Sequence, residues 1–214
     1  MSDFKFSGSM VGTHFDSHVR QQLPFYELVT DAISVIARNY LQQDGLIYDI
    51  GASTGNVTTK IAPLAIERNA RMVSLESSGD MAKSWDGIGT LEVVDACSYV
   101  YDQFDVAICN LVLMFMPLSE RGQLIKNLRS KMKEGGAIIL VEKTLVDGGY
   151  FGTVLRRLTW HWKLTGGATF DEIVKKELSL SGVQRPLNEN ELITEFGAKQ
   201  FFKLGEFSGW VIDA

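Results

Sequence analysis

The segment DIGASTGN, residues 49–56, contains the residues whose types and spacing suggest chemistry most clearly. Gly51, Ser53 and Gly55 match G-x-S-x-G, the nucleophile elbow that exposes a catalytic serine in hydrolases. The same segment is a glycine-bearing turn after an apolar run, and such turns let the main chain approach a nucleotide-type cofactor closely. The sequence therefore offers two interpretations of this turn: a serine nucleophile or a seat for a cofactor.

The hydrolase interpretation meets three difficulties. A nucleophile elbow normally lies well inside a sheet, whereas this one follows the first predicted strand, and no HGGG-type oxyanion segment precedes it. Only His161 follows Ser53 in the chain, as the Ser–Asp–His order of that fold requires, and it stands between two tryptophans. We therefore expect Ser53 to be unreactive and the turn to hold a cofactor.

Three carboxylates accompany the turn at the ends of predicted strands. Asp49 precedes the turn, Glu76 ends the second strand 25 residues after Gly51, and Asp95 ends the third. Ligands of open α/β sheets bind at the carboxyl ends of the strands, where a carboxylate accepts hydrogen bonds from both ribose hydroxyls. We expect Glu76 to bind a ribose and Asp95 to meet an adenine amino group.

The composition of the turn favours S-adenosylmethionine over a dinucleotide. Dinucleotide sites usually have a third glycine, which lets the start of the helix pack under the pyrophosphate. No glycine follows Gly55 in the next predicted helix. S-adenosylmethionine has no phosphate to hold, and the carboxylate of Asp49 suits its cationic methionine moiety better than it suits a pyrophosphate.

Strands and helices alternate from residue 46 to residue 142, which predicts an α/β fold with a mostly parallel sheet and helices on both faces. Apolar periodicity predicts helices over 22–41 and 56–67, with Pro63 a kink or early end of the second. A third helix is expected to begin after an N-cap at Ser119 and to end at the Gly135-Gly136 pair. Predicted strands cover 46–50, 71–75, 91–94, 104–113, 137–141, and 201–207 and 210–212 around a Ser208-Gly209 turn.

Composition narrows the functional classes. The net charge of −5 argues against a large surface that follows nucleic-acid phosphates. Cys97 and Cys109 lie in apolar runs, which is typical of free thiols in a reducing compartment, and the N-terminus has no apolar signal core. The longest apolar runs are far too short to span a membrane. We expect a cytoplasmic protein with no membrane partner, and we expect no metal in its site.

Five segments together resemble the class I S-adenosylmethionine-dependent methyltransferases. They are YDIGASTGN (48–56), VSLESS (73–78), VVDA (93–96), FDVAICNLVLMFMP (104–117) and LRSKMKEGGAIILVEK (128–143). The resemblance implies a Rossmann-like fold with a seven-stranded sheet whose last strand is antiparallel. It also implies a single domain, 1–214, with an N-terminal helical cap (1–45), a cofactor-binding core (46–145), a helical insertion (146–185) and C-terminal strands (186–214).

A more specific similarity is to the carboxy-S-adenosylmethionine synthases, enzymes of tRNA wobble-uridine modification. FDSHVRQQLPFYELVTDAI (15–33), CNLVLMFMPLSER (109–121) and VEKTL (141–145) carry this similarity. That family makes its product from S-adenosylmethionine and prephenate within a homodimer, and an arginine near the C-terminus holds the added carboxylate. The matching stretch here, Asn190–Phe196, has no arginine, and Arg185 is the nearest.

The resemblance implies roles for individual residues. The backbone of 51–53 would line the methionine moiety, Asp95 and Ala96 would contact adenine, and Ser77 would lie near it. Tyr26 would close over the cofactor, and Asn110 would sit beside the transferring centre. The complete expected cofactor site is Tyr26, Asp49, Gly51, Ala52, Ser53, Gly55, Glu76, Ser77, Asp95, Ala96 and Asn110.

The catalytic residue and the acceptor stay open at this point. His14, Glu142 and His161 are candidates for a general base, and none is assigned. Three functions remain: methyl transfer to a small-molecule or RNA-related acceptor, synthesis of a carboxylated cofactor, and binding of S-adenosylmethionine without catalysis. The aromatic part of the helical insertion, 150–170, could cap a small-molecule pocket or form a dimer interface, so a homodimer through 146–185 is possible.

Overall fold

The structure, a computed structural model, describes residues 13–146 and 148–213, with side chains described from Phe15 onward. Its centre is a seven-stranded sheet in the order β3-β2-β1-β4-β5-β7-β6. β7, the last strand, is antiparallel to both of its neighbours, and the other pairs are parallel, so the predicted fold class is confirmed. The strands are β1 (Leu46–Ile50), β2 (Arg71–Glu76), β3 (Thr90–Val93), β4 (Phe104–Asn110), β5 (Met132–Lys143), β6 (Lys199–Leu204) and β7 (Phe207–Asp213).

Eight helices accompany the sheet in the described part of the chain. A single 3-10 turn, Leu113–Phe115, follows β4. The helices are α1 (Thr13–Gln22), α2 (Tyr26–Arg38), α3 (Asn56–Glu67), α4 (Gly79–Ala82), α5 (Leu118–Lys131), α6 (Gly149–Thr165), α7 (Phe170–Ser179) and α8 (Glu189–Phe196).

Alternating side chains of the central strands fill two separate cores, one on each face of the sheet. Ile47 of β1 packs with α2 and α3, as Ile33 of α2 does. Tyr48 and Ile50 point to the opposite face and pack with α5 and α8. Both faces are therefore covered by helices, which is why β1 is buried along its whole length and β4 is buried from Phe104 to Cys109.

Several predicted boundaries are wrong near the middle of the chain. The helix expected over 22–41 is shorter, since α2 covers Tyr26–Arg38, and α1 (Thr13–Gln22) precedes it as a separate helix. α5 begins after Pro117, not Ser119, because proline fixes a φ that suits the residue before a helix. It ends at Lys131, and Gly135-Gly136 lies inside β5 instead of terminating the helix. α3 continues through Pro63 to Glu67, so Pro63 does not end it.

The ends of β4 and β7 also differ from the prediction. β4 ends at Asn110, because the apolar residues after it turn away into the 3-10 turn. Ser208 and Gly209 lie within β7, where they pair with Glu142 and Val141 of β5. The hairpin turn is at Gly205, whose φ of +60° suits a tight reversal.

The strand order reverses between β1 and β4, since the chain leaves β1 toward β2 on one side and returns to β4 on the other. The carboxyl ends of these two strands thus form the crevice in which open α/β sheets bind their ligands. β1 ends at Ile50, directly before the glycine turn, and β4 ends at Asn110.

We predict that Gly55→Ala destabilises the protein by about 1–3 kcal/mol, because Gly55 has a φ of +92° and a Cβ there would come within 2.5 Å of the backbone of Gly87. Gly79→Ala is the matched control, since nothing lies within 4 Å of its Cβ position. Urea unfolding of both variants measures the difference. Equal free energies of unfolding would contradict this account of the turn.

Candidate functional site

The turn after β1 presents main-chain groups at the crevice. The N–H groups of Gly51 and Ala52 both donate to the carbonyl of Leu75, at 2.8 and 3.0 Å, which fixes the turn against β2. Gly51 has a φ of +70°, and a Cβ there would come within 2.5 Å of the Val112 side chain. Glycine is therefore required where the turn meets the loop after β4.

Ser53 shows none of the geometry of a hydrolase nucleophile. Its Oγ is buried and has no hydrogen-bond partner among the residues that the structure describes. A serine nucleophile needs a base within hydrogen-bond reach. Its backbone instead has a left-handed φ of +52°, and its N–H takes part in the contact with Glu76 described next.

Glu76 joins the two loops at the end of β2. Its Oε2 accepts the N–H of Ser53 at 2.9 Å, and its Oε1 accepts the N–H of Ser78 at 2.7 Å. The residue is only 8% exposed, yet it lines the main cavity of the protein. A carboxylate has about four lone-pair sites, so each oxygen can accept a further hydrogen bond from a ligand hydroxyl.

Asp49 is the most deeply buried polar group of the crevice. Its side chain is 2% exposed, and Oδ2 has no hydrogen-bond partner among the described residues. Burial, followed by the nearby Glu76 carboxylate, raises the pKa of Asp49 to about 7. An acceptor oxygen left unsatisfied in a buried site is costly, and a cationic ligand group would relieve that cost.

A cavity of about 400 Å³ opens beside these groups. It brings together eight of the residues that the sequence assigned to a cofactor site: Tyr26, Asp49, Gly51, Ala52, Ser53, Glu76, Ser77 and Asn110. The roles expected for these eight residues stay predictions, although their side chains and backbone now share one space.

Gly55, Asp95 and Ala96 do not line the cavity. Gly55 is the residue before α3, and its left-handed backbone forms the end of the turn. Asp95 is exposed, and its Oδ1 accepts the N–H of Cys97 at 2.9 Å, as a short polar side chain commonly does within a loop. Contact of Asp95 with an adenine stays a prediction.

Glu142, one of the candidate bases, is bound to the loop after β4. It is completely buried, and its carboxylate accepts the N–H groups of three consecutive residues, 112–114, at 2.7 to 3.1 Å. Burial raises the pKa of Glu142 to about 7, although these three donors act in the opposite direction. Since it does not line the cavity, Glu142 supports the loop that carries Asn110 and Leu111.

Leu111 has a φ of +63°, which is unusual for a branched side chain and costs about 1–2 kcal/mol. Its N–H donates to the carbonyl of Val141 at 2.7 Å. Arg121 supports the same loop by donating to the carbonyls of Met114 and Met116. The structure thus holds the loop beside Asn110 in a strained conformation from two sides.

The histidine that lines the cavity is not one of the two that the sequence analysis named as candidate bases. His161 is exposed and does not line it, and the side chain of His14 lies outside the described residues. His18, which sequence reasoning did not single out, does line the cavity, and its Nε2 is buried without a hydrogen-bond partner among the described residues. Burial, and then the charge of Lys176, lowers the pKa of His18, so its imidazole is neutral at pH 7.

α1 covers the cavity and is anchored to the glycine turn. The Asp16 carboxylate accepts the hydroxyl of Thr54 at 2.5 Å and the amide of Asn56 at 2.6 Å. Arg20 donates to Glu27 of α2 at 2.6 Å and lies 5.8 Å from the centre of the Tyr26 ring. Burial, followed by the charge of Asp49, raises the pKa of Tyr26, which remains a neutral phenol.

Two further observations concern the described chain as a whole. Within residues 13–146 and 148–213, no helix has the length and apolar character needed to cross a membrane. Within the same residues, no group of three or more histidine, cysteine, aspartate or glutamate side chains is arranged to hold a metal ion.

Similarity to known proteins agrees with this geometry. No protein-family model matches the chain. The carboxy-S-adenosyl-L-methionine synthase of Staphylococcus epidermidis is 26% identical over 217 residues, which cover 95% of this chain and 94% of that protein. The synthase of Shewanella denitrificans is 24% identical, over 94% of this chain and 87% of that protein. The resemblance predicted from the sequence is therefore confirmed.

Solved structures share the fold. The magnesium protoporphyrin IX methyltransferase of Synechocystis PCC 6803, solved with bound SAH, has a TM-score of 0.58 and 16% identity over 98% of this chain and 91% of that chain. The plantazolicin methyltransferase BpumL, in complex with a triazolic desmethylPZN analog and SAH, has a TM-score of 0.65 and 12% identity over 93% of this chain and 89% of that chain. At these identities the likeness concerns the fold, which is that of the class I methyltransferases.

Asp49→Asn should stabilise the protein without ligand by about 1–3 kcal/mol at pH 8, because it removes a buried and unpaired charge. The folded-state pKa of Asp49 lies above the unfolded value of about 3.9, so wild-type stability falls as the pH rises from about 4 to about 7, where the unfolded chain is ionised and the folded one is not. Urea unfolding at pH 5 and pH 8 should therefore show a larger gain at pH 8. If the increase in the free energy of unfolding were the same at both pH values, the ionisation of Asp49 could not be its cause.

Proposed function

We propose that the chain is an S-adenosylmethionine-dependent transferase of one-carbon groups, acting as a methyltransferase on a small-molecule or RNA-related acceptor. The observation that carries the proposal is the pair of carboxylates, Asp49 and Glu76, on either side of a glycine turn in one cavity at the reversal of strand order. The similarity to carboxy-S-adenosyl-L-methionine synthases and the methyltransferase fold support the same cofactor.

The residues of the cavity fit the parts of this cofactor. Glu76 would accept the ribose hydroxyls with the lone pairs that Ser53 and Ser78 leave available. Asp49 would satisfy its unpartnered Oδ2 with the cationic methionine moiety. The main chain of 51–53 would approach that moiety closely, because no side chain at Gly51 intervenes.

S-adenosylmethionine, when bound, supplies a methyl group already activated by the adjacent sulfonium. The chain then mainly has to align donor and acceptor, a contribution of up to roughly 7–11 kcal/mol in favourable cases. Tyr26 and Asn110 would bound the reacting space, and Glu142 would hold the loop beside Asn110 in place. For an acceptor that must lose a proton, neutral His18 is the histidine at the cavity that can accept it.

A second candidate function is the synthesis of a carboxylated cofactor. Its support is the similarity to proteins named carboxy-S-adenosyl-L-methionine synthase over nearly the whole chain. In the stretch where the resemblance led us to expect the carboxylate-binding arginine, this chain has none, and α8, which contains that stretch, does not line the cavity. A synthase of this kind would therefore need other cationic groups to hold the carboxylate. A non-catalytic S-adenosylmethionine-binding protein is the third candidate.

The proposed setting is a cytoplasmic, single-domain protein that forms a homodimer through 146–185. The described cysteines, Cys97 and Cys109, are free thiols, as is usual in a reducing compartment. α6 and α7 expose large apolar side chains, which suits an interface between copies of the chain. These side chains are Tyr150, Phe151, Phe170, Val174 and Leu178.

Glu76→Ala should weaken S-adenosylmethionine binding by about 1–3 kcal/mol, through loss of charge-assisted hydrogen bonds to the ribose. Glu134→Ala, at an exposed position of β5 away from the cavity, is the matched control and should bind normally. Isothermal titration calorimetry measures both affinities, and thermal unfolding confirms that the variants are folded. Unchanged affinity in Glu76→Ala would refute the assignment of this residue.

Mass spectrometry of the ligand released from the purified protein should separate the candidate functions. S-adenosylmethionine or its demethylated product is expected for a methyltransferase, whereas a synthase would release a carboxylated cofactor of distinct mass. If calorimetry detects no binding of S-adenosylmethionine, both enzymatic candidates fail.

A further inference from the structure

The inner face of α1 presents two polar atoms that the proposed cofactor does not use. The Nε2 of His18 and the Oε1 of Gln22 are buried, and neither has a hydrogen-bond partner among the described residues. Both residues line the main cavity, and Gln22 is only 8% exposed. They lie four residues apart on one helix, so their side chains share a face, one turn apart. Burying polar atoms without hydrogen bonds is costly, so the pair indicates a ligand group that bonds to both.

α1 reaches the loop after β4 through Val19, which lies between the two polar residues. Val19 and Leu111 pack against the same hydrophobic cluster, formed by Leu23, Tyr26 and Phe207. Leu111 directly follows Asn110, which the proposed function places at the reacting space. The polar pair on α1 is therefore positioned for the methyl acceptor, whereas the carboxylates at the ends of β1 and β2 are positioned for the cofactor.

The same cavity has apolar walls. Phe15, three residues before His18 on α1, lines it, as do Leu180 directly after α7 and Phe207 at the start of β7. A flat apolar body against these side chains would gain about 25 cal/mol for each Å² that it removes from water. The site thus combines apolar walls with two buried hydrogen-bond acceptors, a combination that suits an aromatic ring carrying N–H or O–H groups.

The surroundings of His18 restrict the basicity of the ligand. Burial, followed by the charge of Lys176, lowers the pKa of His18; Glu172 acts in the opposite direction, and Lys163 adds to the lowering. Both lysines line the cavity, on α6 and α7. The neutral imidazole can accept a hydrogen bond, but it cannot remove a proton from an alkylammonium, whose pKa is about 10 as in lysine. A nitrogen nucleophile at this site must therefore arrive uncharged.

We propose that the methyl acceptor is a small aromatic amine, whose amino group donates one N–H to Gln22 Oε1 and the other to His18 Nε2. This inference rests on the proposed function, since the cofactor would supply the methyl group. An aromatic amine is uncharged at neutral pH, because the ring delocalises the nitrogen lone pair. Its two N–H groups match the two unpartnered acceptor atoms on α1, and its ring matches the apolar walls.

Methyl transfer to such an amine balances without any further reactant. The nitrogen lone pair would form the bond to the methyl carbon, while the carbon–sulfur bond of the sulfonium breaks and leaves its electron pair on a neutral sulfur. As the new bond forms, one N–H proton would pass to Nε2 of His18 and from there to water. The other N–H would stay on Gln22, which holds the amine in line throughout.

Aniline is a suitable probe, and toluene has the same shape without the N–H groups. In calorimetric titrations of the protein saturated with S-adenosylhomocysteine, aniline should bind about tenfold more tightly than toluene. Gln22→Leu should weaken aniline binding about tenfold and leave toluene binding unchanged. Gln21→Leu, at the neighbouring exposed position of α1 that does not line the cavity, is the matched control and should bind both probes as the wild type does.

His18→Gln should keep aniline bound, because an amide oxygen can still accept the N–H, but should slow the formation of N-methylaniline about a hundredfold or more. His161→Gln, at an exposed position away from the cavity, is the control and should react at the wild-type rate. Mass spectrometry of the product measures the rate. In the wild type the rate should fall as the pH drops below the pKa of the imidazole, and His18→Gln should lack this dependence.

Three results would overturn the inference: equal aniline affinity in Gln22→Leu, equally tight binding of toluene or benzylamine, or an unchanged rate in His18→Gln. Benzylamine is the alkylammonium of similar shape. Repeating the titrations without S-adenosylhomocysteine separates the two proposals. Failure of S-adenosylmethionine and S-adenosylhomocysteine to bind would refute the proposed function, whereas the difference between aniline and toluene in the unliganded protein would still report on the amine site.

Discussion

The site depends on a single carboxylate that holds two loops at once. Glu76 ends β2 and accepts main-chain N–H groups from Ser53 in the first loop and Ser78 in the second. Because both donors are backbone groups, the carboxylate fixes the conformation of the chain itself. The conformation of the turn after β1 and the orientation of Glu76 in the cavity therefore depend on each other.

Two features at the cavity, a buried carboxylate and a strained backbone position, lower the stability of the protein without ligand. Asp49 keeps an unpartnered oxygen in a buried site, and Leu111 keeps a left-handed backbone. Neither contributes to the stability of the unliganded fold. The backbone at Leu111 is maintained by the hydrogen bonds that Glu142 accepts from the three amides that follow it. Features that reduce stability in this way are typical of positions where the residue serves ligand binding and not folding.

Features encoded in contiguous sequence were predictable, and features created by tertiary contact were not. The bounds of β1 and the glycine turn follow from a local apolar run and its breakers. The contact of Asp95 with a ligand is predicted from its position after β3, whereas the hydrogen bond that its Oδ1 accepts from Cys97 is a local contact that strand order does not specify. His18 and the lysines of the insertion reach the cavity only because α1, α6 and α7 fold over the sheet. No short-range pattern specifies that convergence.

The attachment of α1 has a consequence for the affinity of the cavity. The helix is tied to the rim of the cavity by Asp16, whose carboxylate contacts Thr54 and Asn56 of the same turn that would face the ligand. Docking of α1 and binding of the occupant would therefore be linked equilibria, in which each favours the other by the same free energy. Loss of the two contacts of Asp16 would weaken binding even though Asp16 itself touches no ligand.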